Sequence, residues 1–374
     1  MSTAQLDAPA ARPASTQAPR IAVLFSELSG YMRACLAALR ARHGAEVFVI
    51  HYPVASEAPF AEDADGWADA ACPKGERTAA ELFSLVEDFD PDGILMSGWI
   101  DRDYLQVARA FRRRGVKVVA GSDAPWRGTW RQRAATLAAT RMLHASIDIL
   151  WVAGERQRTF ARRLGFRGNR CLSGYYACDW ARFAGAYGHR DAAEPAFLFV
   201  GRYHPVKGVD ELVDAYRRYR TLSPDPWPLV CAGTGPLQTR LSGVPGVIDR
   251  GFVQPDDLPR LMASASAFVL PSRHEPWGVA IHEAAAAGLP LICSTACGAT
   301  TSLLQDGYNG FLVEAGDAGQ LADRMLRMAS MAPAARDAMG ARSHELSRQF
   351  TPERWADTLL SALETHPQPV AGTP

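Results

Sequence analysis

Short apolar runs alternate with longer amphipathic ones in two successive series along this chain, the pattern of strand–helix–strand units around a parallel sheet. The first series predicts strands at Ile21–Glu27, Glu46–Tyr52, Gly93–Ser97, Val116–Ser122, Ile147–Val152 and Cys171–Gly174. Helices fall at about Tyr31–Arg42 and Tyr104–Arg114. The second predicts strands at Phe197–Gly201, Leu229–Gly233, Val247–Arg250, Ala267–Pro271, Leu289–Ser294 and Gly310–Val313, with helices between most of them. A polar break at Tyr187–Pro195 reads as a linker between a domain at 21–190 and another at 195–349. A last amphipathic helix, Pro352–Thr365, follows a break at Phe350–Thr351, and the segment 350–366 is placed to pack back on the first domain. The tails 1–20 and 367–374 read as disordered. The expected fold class is α/β, with two doubly wound, Rossmann-like parallel-sheet domains facing a central cleft. In such sheets ligands bind beyond the carboxyl ends of the strands, where the strand order reverses.

Composition narrows the classes of function. Of the 374 residues 48% are apolar and 21% charged, which excludes a wholly disordered, collagen-like or coiled-coil chain. Forty Lys+Arg balance forty Asp+Glu, so the basic excess usual in nucleic-acid binding is missing and no nucleic-acid partner is expected. No window approaches the roughly 18 consecutive apolar residues that span a bilayer, and the first 20 residues lack the apolar stretch of a secretory signal. The seven cysteines include no C-x-x-C, and most lie in or beside apolar segments, as expected of reduced, buried thiols in a cytoplasmic protein. Cys293 and Cys297, without a second pair or a nearby histidine, read as structural. Asp101–Asp103 has a D-x-D form but sits at a helix start, where Asp caps. Glu62–Gly66 lacks most ligands of a calcium loop. No metal site is expected.

The informative segment is Leu270–Pro290, LPSRHEPWGVAIHEAAAAGLP. A strand ends at Pro271, a loop carries Glu275, and a helix is predicted from Trp277–Gly278 to Ala287, with Gly288 as its C-cap. The helix amino terminus offers unpaired N–H groups and partial positive charge to a phosphate. Gly278 removes a Cβ that would obstruct close approach. Glu275 and Glu283, eight positions apart, can serve two different groups of one ligand; singly, each reads equally well as a solvated carboxylate. The VGRYHPVKG segment sets Arg202 and Lys207 on one strand-to-helix loop, where two cations can neutralise a diphosphate. The GTGP turn with Gly233 and Gly235 follows the next strand.

In order, VGR…KG, AGTGPL, GFV, LPS…EPWGVAIHEAAAAGLP and DGYNGFLVEAGD resemble the carboxyl-terminal domain of family 4 glycosyltransferases, retaining nucleotide-sugar enzymes of the GT-B fold, nearly continuously from Ala196 to Met328. The resemblance implies that Arg202 and Lys207 hold the diphosphate, Glu283 the ribose hydroxyls and Glu275 the donor sugar. The amides of Trp277, Gly278 and Val279 would complete the phosphate site, beside Gly201, Gly233 and Gly235, with Phe252 and Val253 bordering the base. The first half resembles the family in its strand pattern only: SELSGYMRA, with the single Gly30, stands where many members have a glycine-rich loop. Asp123, after the fifth strand, reads as an acceptor-side group or as a turn carboxylate. The resemblance implies a retaining, metal-independent transferase with no cofactor beyond its nucleotide-sugar co-substrate. Its acceptor would be a glycan, lipid-linked or small molecule, in cell-surface polysaccharide or glycoconjugate synthesis.

Three other readings compete. A dinucleotide oxidoreductase would need G-x-G-x-x-G after the first strand, which Ile21–Gly30 does not supply. A non-catalytic nucleotide-sugar-binding subunit would have lost the charged groups that are present. A sugar-nucleotide epimerase or a phosphorylase would share the architecture. The expected location is cytoplasmic. The basic runs Arg112–Arg114 and Arg162–Arg163 read either as solvated helix faces or as a peripheral contact to anionic lipid at the membrane's inner face, at about 1 kcal/mol per cation.

Overall fold

The computed structural model describes residues 18–53, 66–188 and 194–364. Most of both expected tails, the Glu62–Asp65 stretch and residues 189–193 of the expected linker lie outside the described residues. The first unit runs β1 (Arg20–Leu24), α1 (Gly30–His43), β2 (Glu46–His51), β3 (Ala70–Pro73), α2 (Ala79–Phe89), β4 (Gly93–Met96), α3 (Arg102–Arg113), β5 (Lys117–Ser122), α4 (Trp130–Ser146), β6 (Ile149–Val152), α5 (Glu155–Arg163) and β7 (Cys171–Ser173). Helix α6 (Trp180–Tyr187) leads to the second: β8 (Phe197–Val200), α7 (Val209–Leu222), β9 (Leu229–Ala232), β10 (Val247–Asp249), α8 (Leu258–Ala263), β11 (Ala267–Leu270), α9 (Val279–Ala286), β12 (Leu291–Ser294), α10 (Thr300–Leu303) and β13 (Gly310–Val313). Helices α11 (Ala318–Ser330), α12 (Pro333–Ser347) and α13 (Pro352–Glu364) follow.

The two sheets have the orders β3-β2-β1-β4-β5-β6-β7 and β10-β9-β8-β11-β12-β13. All their strand pairs are parallel. This is the expected pair of doubly wound, Rossmann-like domains. Helices cover both faces, so the central strands are apolar throughout rather than alternating, as in IAVL of β1 and GILM of β4. Strand order reverses between β1 and β4 in one sheet and between β8 and β11 in the other, so the loops after these strands are where ligand chemistry is expected.

Two findings differ from the pattern. The edge strand β3 was not predicted, because AACP is short, mostly exposed and shows no apolar alternation. The crossing between domains lies earlier than Tyr187–Pro195: Cys178, Phe183 and Ala186 are buried in the second core, whereas Tyr175 and Ala177 belong to the first. The polarity of 187–195 marks the exit of a helix already docked on the second domain. The chain returns after α12, and α13 lies on α1 with Trp355, Ala356 and Leu359 buried beside Ile21, Leu95 and Trp151. Trp355 stacks on Trp151 with ring centroids 5.2 Å apart and donates Nε1–H to the Tyr175 carbonyl at 2.9 Å.

Candidate active site

Two spaces open between the domains. The first, about 280 Å³, is lined from the first domain by Ser29, Gly30 and Tyr31, which follow β1. Gly201 and Arg202 after β8, Gly233 and Thr234 after β9, and Phe252 and Val253 face them, with Val279 and Glu283 on α9. Seven candidate residues flagged by sequence thus share one cleft, at the switch points of both sheets. Arg202 is exposed there. Asp179, just before α6, also lines it. Burial, with Asp179 adding its charge, pushes the Glu283 carboxyl up to about 7. Sequence reasoning missed Asp179, which carries no local motif, and reached Tyr31 only as part of the SELSGYMRA segment.

The second space, about 430 Å³, is lined by Pro125, Trp126 and Arg127 before α4 and by Arg156, Gln157 and Thr159 on α5. His274, Glu275, Pro276 and Ala296 complete it from the second domain. Glu275 therefore lines the second space and Glu283 the first. Glu275 is 9% exposed and forms an ion pair with Lys207. Lys207, expected beside Arg202 on a diphosphate, lines neither space; its ammonium is held by the carboxylate. The contact joins residues 68 positions apart, so no motif spacing announces it.

Helix α9 starts at Val279, two residues later than predicted, and Gly278 is its N-cap. The cap residue is left-handed, with φ +100°, and a Cβ there would sit 3.1 Å from both Glu275 Cγ and Ile281 Cδ1. Glycine is needed for that turn and for the seat of Glu275. Gly233, at φ +154°, leaves no room either: its Cβ would lie 2.0 Å from the Gly201 carbonyl. Gly235 packs on the Tyr203 backbone outside both spaces. The Trp277 side chain is a core element, 2% exposed and edge-on to Phe350, with only its backbone left to serve a ligand. His282, next to Glu283, is held neutral by burial, its pKa down to about 4. It accepts from the Cys178 amide at 3.1 Å and donates to the Ser347 carbonyl at 3.0 Å, tying α9 to α12.

After β5, the Asp123 carboxylate accepts from the Tyr176 hydroxyl at 3.2 Å. Gln157 clamps the domains together: its amide nitrogen donates to the Asp123 carbonyl at 3.2 Å and the Pro276 carbonyl at 2.6 Å. Asp101 caps α3 through the amides of Asp103 and Tyr104, and Lys74 bonds both carboxylates, at 2.6 and 3.0 Å. All seven cysteines are free, six of them buried. Among the described residues no group of three His, Cys, Asp or Glu is arranged to hold a metal, and no helix is long and apolar enough to cross a membrane. In the basic runs, Arg112 pairs with Asp148 at 2.8 Å, Arg114 with Glu87 at 2.7 Å, and Arg163 lies over the Trp126 ring.

Residues 194–331 match the family profile described as Glycosyl transferases group 1. A D-inositol 3-phosphate glycosyltransferase of Stackebrandtia nassauensis is 32% identical over 180 residues, covering 44% of this chain and 40% of that one. An alpha-D-kanosaminyltransferase of Streptomyces kanamyceticus is 30% identical over 173 residues, covering 41% and 44%. The chain thus spans less than half the length of these curated relatives. The fold as a whole is similar to that of Anabaena HepE, solved in complex with UDP and glucose, with a TM-score of 0.70 at 17% identity over 92% of this chain and 99% of that one. It is also similar to a sucrose-phosphate synthase from Thermosynechococcus elongatus, at 0.69 and 19% over 92% and 98%.

Proposed function

We propose that the protein, whose residues 194–331 match the Glycosyl transferases group 1 profile and whose fold is similar to GT-B structures, is a retaining glycosyltransferase using a nucleoside-diphosphate sugar. The observation that carries the reading is the first cleft: the Arg202 guanidinium, the Glu283 carboxylate and a helix amino terminus face each other where both sheets reverse their strand order. The base lies against Phe252 and Val253, and the Glu283 carboxylate accepts from the ribose hydroxyls. Arg202 and the amides at Gly278–Val279 take the diphosphate, whose negative charge grows as the glycosidic bond breaks. Because these groups are fixed in place, the leaving group needs no divalent ion. Lys207 acts through Glu275, holding the carboxylate over the second space, where it orients the transferred sugar. Retention follows if the acceptor attacks from the leaving group's own side, the departing phosphate oxygen taking the acceptor proton.

The test is a thermal-shift and hydrolysis screen of UDP, GDP, ADP and dTDP sugars, before and after chelation. One nucleotide class is expected to stabilise the protein and to be hydrolysed with EDTA present. Activity that returns only with Mn²⁺ or Mg²⁺ would falsify the metal-independent mechanism, and loss of all nucleotide binding would leave a fold without this function. UDP is tried first, since HepE holds it.

A further inference from the structure

The second space differs in chemistry from a site built for a neutral sugar, where carboxylates and amides would receive hydroxyl protons. Its lining brings two guanidinium groups, Arg127 and Arg156, against a single carboxylate, Glu275, whose charge Lys207 already matches. His274 adds no charge: burial and the neighbouring Arg127 push its pKa below the usual range, and its Nε2 accepts from the Arg127 guanidinium. Asp123, nearby at the end of β5, is turned to the Tyr176 hydroxyl. With Lys207 and Asp123 behind the walls counted together, three cations stand against two carboxylates, and the cavity carries a net positive charge presented by the two guanidinium groups.

Both arginines are also positioned. Arg127 is tied across the cleft to His274, and Arg156 donates across it to the Thr295 carbonyl. Each bond uses one part of a fork with five donors, and the planar fork matches a phosphate or carboxylate. Trp126, Pro125 and Pro276 supply an apolar wall for a ring or chain.

We propose that this cavity is the acceptor subsite and that the acceptor is anionic, carrying a phosphate or carboxylate that Arg127 and Arg156 grip while its hydroxyl faces Glu275. This rests on the donor reading of the first cleft, because only a donor seated there makes the second space the acceptor side. The assignment adds a substrate class: sugars or polyols bearing an acid group, rejected when the group is missing.

The experiment titrates the full chain by calorimetry with a panel of sugar monophosphates and uronic acids, each beside its neutral parent, and with inorganic phosphate. Wild type, Arg127→Gln, Arg156→Gln and the double variant are compared, with folding checked by circular dichroism. UDP is titrated in parallel, using Arg202→Ala as the donor-side control. At least one anionic ligand is expected to bind tenfold or more tighter than its parent, and the double variant to lose that preference while keeping UDP affinity. Arg→Lys at either position should retain part of it. Equal binding of every acid and its parent, or an intact preference in the double variant, overturns the proposal. Inorganic phosphate binding as tightly as the best sugar phosphate leaves a plain anion site and overturns it too. UDP failing to bind, with the anion preference intact, sinks the donor reading while leaving the anion-binding site in place.

Discussion

At the scale of single residues, the pairing of Lys207 with Glu275 separates two cations that the sequence treats alike. Arg202 is exposed in the first cleft, whereas Lys207 holds a carboxylate that is almost wholly buried. Arg202→Ala should weaken nucleoside diphosphate binding by roughly 1.5–3 kcal/mol, the scale of a charged hydrogen bond, with little change in melting temperature. Lys207→Ala strands Glu275 without its partner, which costs about 3–5 kcal/mol in buried pairs, so it should lower melting temperature as well as turnover. Calorimetry and thermal melts on both variants read this; equal stability of the two would mean the pair is solvated. The glutamates divide similarly. Glu283→Gln should chiefly raise the donor KM, because ribose contacts are shared by ground and transition states. Glu275→Gln should chiefly lower kcat, since a misplaced reacting group costs up to about 100-fold per ångström.

Glu283 also sets a pH dependence. Its folded pKa of about 7 lies above the roughly 4.3 of an unfolded chain, so the unfolded state ionises first. Stability from this group is full below about 4.3 and declines as pH rises toward 7. Donor binding runs the other way, since ribose hydroxyls need the carboxylate: donor kcat/KM should rise with pH through about 7. Both trends should flatten in Glu283→Gln, and Asp179→Asn should shift them to lower pH, because Asp179 helps to raise the pKa. Rate profiles identical in wild type and Glu283→Gln would remove the residue from donor binding.

At the scale of elements, the strands of the second domain were legible nearly to the residue, because parallel strands buried on both faces are continuous apolar runs ended by glycine or proline. The E-x(7)-E segment located α9 and both carboxylates. What it could not carry was the turn between them: Gly278 reads as space for an anion, yet its left-handed backbone and the contact to Glu275 demand glycine before any ligand arrives. Gly278→Ala should therefore destabilise by about 1–3 kcal/mol and lower kcat through Glu275. Urea melts and kinetics check it, and an unperturbed variant would show a turn able to relax. The second space was illegible for a different reason. Arg127, Arg156 and His274 come from two loops and the first turn of α5, in two domains, and nothing in their local sequence distinguishes them from other cations. Asn309 in DGYNG shows the converse: its fully buried side chain bonds the Gln305 amide, the Leu303 carbonyl and Ser343, so a conspicuous motif residue is a brace.

At the scale of the molecule, the chain passes between domains twice, near Tyr175–Cys178 and again between α12 and α13. The first core is thus completed by the far end of the sequence. Trp355→Ala should cost about 3–5 kcal/mol, as large buried aromatics do, and the loss should appear in the melting of the first domain although the residue follows the second in sequence. Domain-resolved hydrogen exchange would show protection lost in β1, β4 and β5; loss confined to the second domain would contradict the packing.

The same return of α13 has a consequence for synthesis on the ribosome. Trp151 emerges about 200 residues before Trp355, an interval of roughly 10–40 s at ordinary elongation rates. During that time the face of the first sheet that bears Ile21, Leu95, Val119 and Trp151 has no α13 to cover it, while the second domain is already being made. The nascent chain thus exposes an apolar surface for many seconds, and chaperone occupancy should fall only once Leu359 and Ala362 have left the exit tunnel.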